Sequence, residues 1–188
     1  MDQGILDFYR KLPRFRNMSN QEVEAIVACT RRHAMLDRGS VLFDAGASPD
    51  GAYIVYTGML NVVVPVSPDK SKRIAQLGPG TMVGELSLIE PAPRGLRVEA
   101  EEPTQVLQIE LKRFLRLRKQ YHPAAYKLIH SITLTVCDRL RALNLKVQGD
   151  ASPNGKALTS TQDVAIEAPA PDSTLSAWER LRALFSRE

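Results

Sequence analysis

The spacing of apolar positions changes three times along the chain. Ile5, Leu6, Phe8 and Leu12 recur at helical intervals across Gln3–Lys11, and Pro13 then stops the pattern, which predicts a short leading helix. Ser19 followed at the third position by Glu22 is a capping box, and Val23, Ile26 and Val27 give the helix it opens an apolar face to about Cys29 or Thr30. From Arg31 to Ile109 the runs shorten, become rich in Val, Ile, Tyr and Leu, and are cut by Gly39, Gly46, Gly51, Gly58, Gly78, Gly80, Gly84 and Gly95. Strands are predicted near 32–37, 40–44, 52–57, 59–66, 73–77, 82–84, 96–101 and 105–110. Eight short antiparallel strands fit a jelly-roll barrel, so the fold class is mainly β with flanking helices.

Helical spacing returns at Leu111. Phe114, Leu115 and Leu117 share a short helix that His122-Pro123 interrupts, and Ala125, Leu128, Ile129, Ile132, Val136, Leu140, Leu143 and Val147 then mark a long one. That stripe can pack on the barrel and leave a seam. The seam either pairs with a second copy, making a homodimer through the 124–147 helix, or is consumed within one chain. Gln148–Asp172, 25 residues with three prolines, no aromatic residue and a net charge of −3, reads as a disordered linker. Beyond it Leu175, Trp178, Leu181, Leu184 and Phe185 fall on one face of a tail helix over 173–188, opened by the Ser176/Glu179 capping pair. The helix carrying the sole Trp either docks on its own domain or is presented to a partner protein. The predicted domains are therefore 1–147, 148–172 and 173–188.

Composition narrows the classes. At 188 residues with 44% apolar side chains the chain can bury a real core. No apolar run reaches the length of a membrane span and Met1–Lys11 lacks a signal-peptide stretch, so the expectation is a cytoplasmic protein without membrane contact. Cys29 and Cys137 stand far apart without metal-ligand spacing, and reduced thiols are expected. The net charge of +4 divides unevenly: residues 1–147 hold 21 basic and 15 acidic side chains, residues 148–188 four and six. This excess suits an anionic ligand but falls short of a nucleic-acid-binding stripe.

Candidate chemistry concentrates in Gly84-Glu85-Leu86-Ser87-Leu88-Ile89-Glu90-Pro91-Ala92-Pro93-Arg94. A helical turn at Leu86–Ile89 would direct free backbone N–H groups at an anion, and Arg94 on the returning strand could offer its planar fork to the same group. Glu85 supplies an acceptor for a sugar hydroxyl, and Gly84 admits a ligand close to the backbone. An anion beside a diol describes a nucleotide. The alternative is an ion pair between Glu85 and Arg94 across an empty fold.

At these residues the chain resembles the cyclic nucleotide-binding domain, the module shared by catabolite activator proteins, the regulatory subunit of the cyclic-AMP-dependent kinase and cyclic-nucleotide-gated channels. GELSL, then IEPA, then PRGLRVEA is similar to that family's phosphate-binding cassette, and GAYIVYTG at 51–58 and LGPG before the cassette are similar to its glycine scaffold. The likeness spans about residues 5–146. It implies a ligand of the cyclic AMP or cyclic GMP type, with Glu85 accepting the ribose 2′-hydroxyl, Arg94 pairing with the cyclic phosphate, and the backbone around Leu86 and Ser87 with Gly84 completing the shell. Gly95 and Leu96 depart from the family's small residues after the arginine, and the bulk of Leu96 is expected to press on the pocket. Asn144, late in the long helix, is the polar candidate to cap the purine.

An enzyme is not expected: His33, His122 and His130 have no nucleophile or metal-ligand spacing, and no GxSxG, HExxH or P-loop occurs. After Val147 only 41 residues follow, 25 of them the linker, so a winged helix does not fit and direct DNA binding is not expected. What the pattern supports is a stand-alone sensor or regulatory subunit moving its C-terminal helices, or else a ligand-free scaffold working through its tail helix.

Overall fold

In the computed structural model, which describes residues 2–67 and 70–150, two four-stranded antiparallel sheets carry the fold. The strands are β1 (Thr30–Arg32), β2 (Val41–Phe43), β3 (Gly51–Thr57), β4 (Leu60–Ser67), β5 (Lys70–Leu77), β6 (Met82–Val83), β7 (Arg97–Ala100) and β8 (Gln105–Glu110). One sheet runs β1-β8-β3-β6 and the other β2-β7-β4-β5. The eight expected strands are all present, and the jelly-roll layout holds. The word barrel needs correcting, because the strands form two separate sheets rather than one closed around itself. The first strand is also displaced: β1 starts directly after the second helix, where Thr30 pairs with Ile109, and Leu36 contributes only an isolated bridge to Thr104.

The helices are α1 (Gln3–Lys11), α2 (Asn20–Ala28), α3 (Leu86–Ile89), α4 (Leu111–Lys119) and α5 (Pro123–Asp150), with one 3-10 turn at Pro13–Phe15 between α1 and α2. The capping box forms as expected, the Glu22 amide donating to Ser19 Oγ at 3.3 Å and the Ser19 amide to Glu22 Oε2 at 2.6 Å. Helix α5 runs three residues beyond the expected boundary at Val147, since Gly149 weakens a helix without breaking it and the next proline is Pro153. Pro68 and Asp69 at the β4–β5 tip, the 151–172 part of the linker and the tail helix with Trp178 lie outside the described residues. The chain divides into two units, Met1–Leu140 and Arg141–Glu188, and the packing described below belongs to the first.

Strand β3 explains how the layers join. Tyr53 and Val55 point between the sheets, where they meet Leu60, Val62, Val98, Ala100 and Val106. Ala52 and Ile54 point the other way, into a core shared with Leu107 and Ile109 of β8 and with Ile5, Tyr9, Val23, Ile26, Phe114, Leu128 and Ile132 of the helices. The unbroken apolar run at 52–55 is thus a strand covered on both faces. Along α5, Ala125, Leu128 and Ile132 are buried and Ile129 and Val136 partly so, whereas Leu140 and Leu143 are exposed.

Helix α4 ends in a Schellman motif, the Tyr121 amide donating to Arg118 O at 3.0 Å and the His122 amide to Leu117 O at 3.3 Å. The residue in the left-handed position is Tyr121, with φ 54°, where glycine is usual. Its ring is 80% exposed and so contributes little packing. Tyr121→Gly is therefore expected to stabilise the protein by about 1 kcal/mol, raising Tm by roughly 2–4 °C in thermal unfolding; an unchanged or lowered Tm contradicts the assigned strain.

Candidate functional site

The turn α3 and the loop after it fold as their sequence dictates. Gly84 adopts φ 69°, and a Cβ there would collide with Nη1 of Arg94, so glycine serves both the backbone and the approach of the guanidinium. Glu85 precedes α3, and the Ser87 and Leu88 amides close the turn on the carbonyls of Gly84 and Glu85, at 3.3 and 3.0 Å. The Ser87 amide is thus not free for an anion, contrary to expectation. Ser87 Oγ lies 2.7 Å from Gly84 O and 3.1 Å from Gly51 O, a hydroxyl that knits the cassette to the start of β3.

Arg94 is held from every side. Its amide donates to Ala47 O at 2.9 Å and its carbonyl accepts from the Gly46 amide at 2.7 Å, which fixes the loop. The side chain, only 6% exposed with the residue as a whole, points inward: Nη1 donates to Gly84 O at 3.0 Å, and Nη2 to Gly51 O at 2.6 Å and Asp50 Oδ1 at 2.8 Å. Its guanidinium carbon stands 4.3 Å from the Phe43 ring centroid and 5.8 Å from that of Tyr53. Nε is buried without an acceptor among the described residues. A buried donor left unmet costs about 1–3 kcal/mol, so the pocket is better suited to an additional oxyanion than to the protein's own groups.

Asp50 is one of the residues, with Arg139 and Arg14, whose role the sequence does not signal. Besides Arg94 it accepts from Tyr53 Oη at 2.5 Å and from Gln108 Nε2 at 2.9 Å. Burial, reinforced by the neighbouring Asp50 carboxylate, pushes the Tyr53 phenol well above its ordinary pKa, so it stays protonated as a donor. Glu85, 7% exposed, has a distant partner too: Arg139 Nη1 of α5 donates to its Oε1 at 2.8 Å. Arg14 of the 3-10 turn joins this corner. Burial lowers its guanidinium pKa, Glu85 partly restores it and the like charge of Arg139 lowers it again. The two buried site residues therefore pair with Asp50 and Arg139, and no ion pair joins them to each other among the described residues.

Of the expected shell, Gly84, Glu85, Leu86, Ser87 and Arg94 are brought together. Gly95 and Leu96 lie at the surface after Arg94, Leu96 with 37% of its area exposed. Asn144 is exposed on α5 and belongs to the second unit. Helix α4 is tied to the cassette through Arg118, whose Nη1 donates to Leu88 O at 3.2 Å and Ile89 O at 2.9 Å, occupying the carbonyl end of α3. Among the described residues no cluster of metal-ligating side chains occurs, and no helix is long and apolar enough to cross a membrane.

Residues 34–121 match the model of the cyclic nucleotide-binding domain. The chain is 30% identical over 131 residues to Glutaminase 2 of Bradyrhizobium diazoefficiens, covering 69% of this chain and 20% of that one. It is 24% identical over 135 residues to the Cyclic AMP receptor protein of Thermus thermophilus, covering 72% and 60%. The chain thus spans a fifth and three fifths of these two curated relatives. A cyclic nucleotide-binding domain from Methylobacillus flagellatus superposes with a TM-score of 0.65 at 21% identity, over 82% of this chain and 86% of that one, which shows the fold.

Proposed function

We propose, from the match of residues 34–121 to the cyclic nucleotide-binding domain model, that this protein senses a cyclic mononucleotide, cyclic AMP in the first instance, and signals through its C-terminal helices. The observation that carries this reading is that Glu85 and Arg94, both buried, are each held by a charged partner from a distant part of the chain. A cyclic phosphate arriving at Arg94 competes with Asp50 and with the carbonyls of Gly84 and Gly51 for the same donors, and finds Nε unclaimed. A ribose hydroxyl arriving at Glu85 competes with Arg139. The first exchange acts on the cassette turn, which Arg118 couples to α4; the second acts on α5 directly. Ligand binding therefore biases the positions of both helices, provided that it favours one arrangement over the other. The exposed Leu134 and Leu140 of α5 offer a surface for a second copy or a partner protein to read that change. Catalysis is no part of this role, and the likeness to a glutaminase covers a fifth of that enzyme.

One observation favours a second reading, a ligand-free scaffold of the same fold: Arg94 already has a carboxylate partner in Asp50. Thermal unfolding with cyclic AMP and cyclic GMP separates the two. A ligand at a hundredfold excess over its Kd adds about 2.7 kcal/mol, a rise in Tm of about 5–11 °C for a chain of this size. We expect that rise with one nucleotide. A folded protein whose Tm moves with neither is the scaffold.

A further inference from the structure

The Asp50 carboxylate also borders a feature that the nucleotide reading leaves unused. A cavity of about 440 Å³ lies at the start of α4, and Arg31, Asp50, Gln108, Lys112, Arg113 and Arg116 contribute to its wall. Glu110, also in the wall, pairs with Arg31 at 3.3 Å and Arg113 at 2.6 Å. Lys112 and Arg116 have no carboxylate partner among the described residues. Four cations against two carboxylates leave a formal charge of +2 around the cavity. The imbalance is sharpened because the first turn of α4 contains no acid, so Lys112 and Arg113 face the positive end of its dipole.

A continuous chain of hydrogen bonds joins this cleft to Arg94. Arg31 Nε donates to Gln108 Oε1 at 2.9 Å, Gln108 Nε2 donates to Asp50 Oδ2 at 2.9 Å, and Asp50 Oδ1 accepts from Arg94 Nη2 at 2.8 Å. Gln108, the middle member, is 1% exposed and anchors the connection in the fold, while the Arg31 and Asp50 side chains on either side of it are each 55% exposed.

We propose that the cleft is a second anion site, for a phosphate-bearing small molecule with at least two negative charges, coupled antagonistically to the nucleotide site through Asp50. The coupling rests on the reading that Arg94 takes the cyclic phosphate. An anion among Arg31, Lys112 and Arg116 neutralises the cations that attract Asp50, leaving that carboxylate to Arg94 and so opposing the nucleotide. A cyclic phosphate on Arg94 displaces Asp50 toward the cleft, where it opposes the anion. The two effects are equal by linkage.

The test uses pyrophosphate as probe, at constant ionic strength, with calorimetric titration of the full chain and of a Lys112→Ala/Arg116→Ala variant. Pyrophosphate is expected to bind the parent protein at least about tenfold more tightly than the variant, two charge-assisted contacts having been removed. Rising pyrophosphate should increase the cyclic AMP Kd of the parent by about fivefold and then level off, with no change in the variant. Equal pyrophosphate affinity in the two proteins overturns the site. An increase in the cyclic AMP Kd that grows in proportion to pyrophosphate without levelling off also overturns it, because that is direct competition at Arg94. Pyrophosphate binding that depends on Lys112 and Arg116, in a protein that binds no cyclic nucleotide, keeps the cleft and overturns both the nucleotide reading and the coupling.

Discussion

Arg94→Ala is expected to weaken cyclic nucleotide binding by about 30-fold to 4,000-fold, measured by calorimetric titration against the parent protein. Truncating one member of a buried, hydrogen-bonded charge pair costs about 2–5 kcal/mol, and each 1.4 kcal/mol is a factor of ten. The range applies because the guanidinium is buried and rigidly held by three acceptors and the Phe43 ring, so it enters the complex with little ordering left to lose. The fold itself should survive. The Asp50 side chain is 55% exposed, and water can solvate it once its partner is gone. Arg94→Lys keeps the charge but not the planar fork, so most of the loss should remain. An alanine variant that binds as tightly as the parent removes Arg94 from the ligand shell and with it the core of the proposed function.

The second large effect is on stability. Phe114→Ala should cost about 3–5 kcal/mol and lower Tm by about 6–20 °C. Phe114 is completely buried and belongs to the cluster in which α4, α5, the N-terminal helices and the β3–β8 face of one sheet meet. Deleting its ring leaves a cavity with walls supplied by several elements, each anchored elsewhere, so collapse to fill it is restricted. A loss below about 1 kcal/mol in denaturant unfolding would mean that α4 is free to move inward, and that the helix layer is looser than its packing indicates.

Much of this architecture is readable from local pattern because local rules govern it. The Ser19–Glu22 capping box, the doubly covered run at 52–55 and the cassette turn all depend on residues close in sequence, and each stands where the spacing puts it. The electrostatic partners are of another kind. Asp50 lies 44 positions from Arg94, and Arg139 lies 54 from Glu85. Asp50 in Ser48-Pro49-Asp50-Gly51 reads as an ordinary turn residue, and Arg139 as one more solvated cation on a helix. Neither position has a local signal for its role, because tertiary folding alone brings the charges together. Arg14 is equally silent in the sequence, because Pro13 ends the helical pattern and the 3-10 turn that carries Arg14 has no periodicity of its own.

The double covering of β3 also governs how the chain reaches its native state. Its ladder with β8 pairs Gly51 with Glu110 and Val55 with Val106, so it cannot form until the intervening hairpin, cassette and β7 have been drawn into a long closed loop. Such non-local pairing makes folding slow for a domain of this size, with early collapse of α1 and α2 giving no shortcut to the central strand. Once formed, the amides of 52–55 lie within a hydrogen-bonded ladder under apolar layers on both sides, and exchange with solvent there requires opening of the whole domain. The platform on which Asp50 and Gly51 sit is consequently the last part of the molecule to breathe.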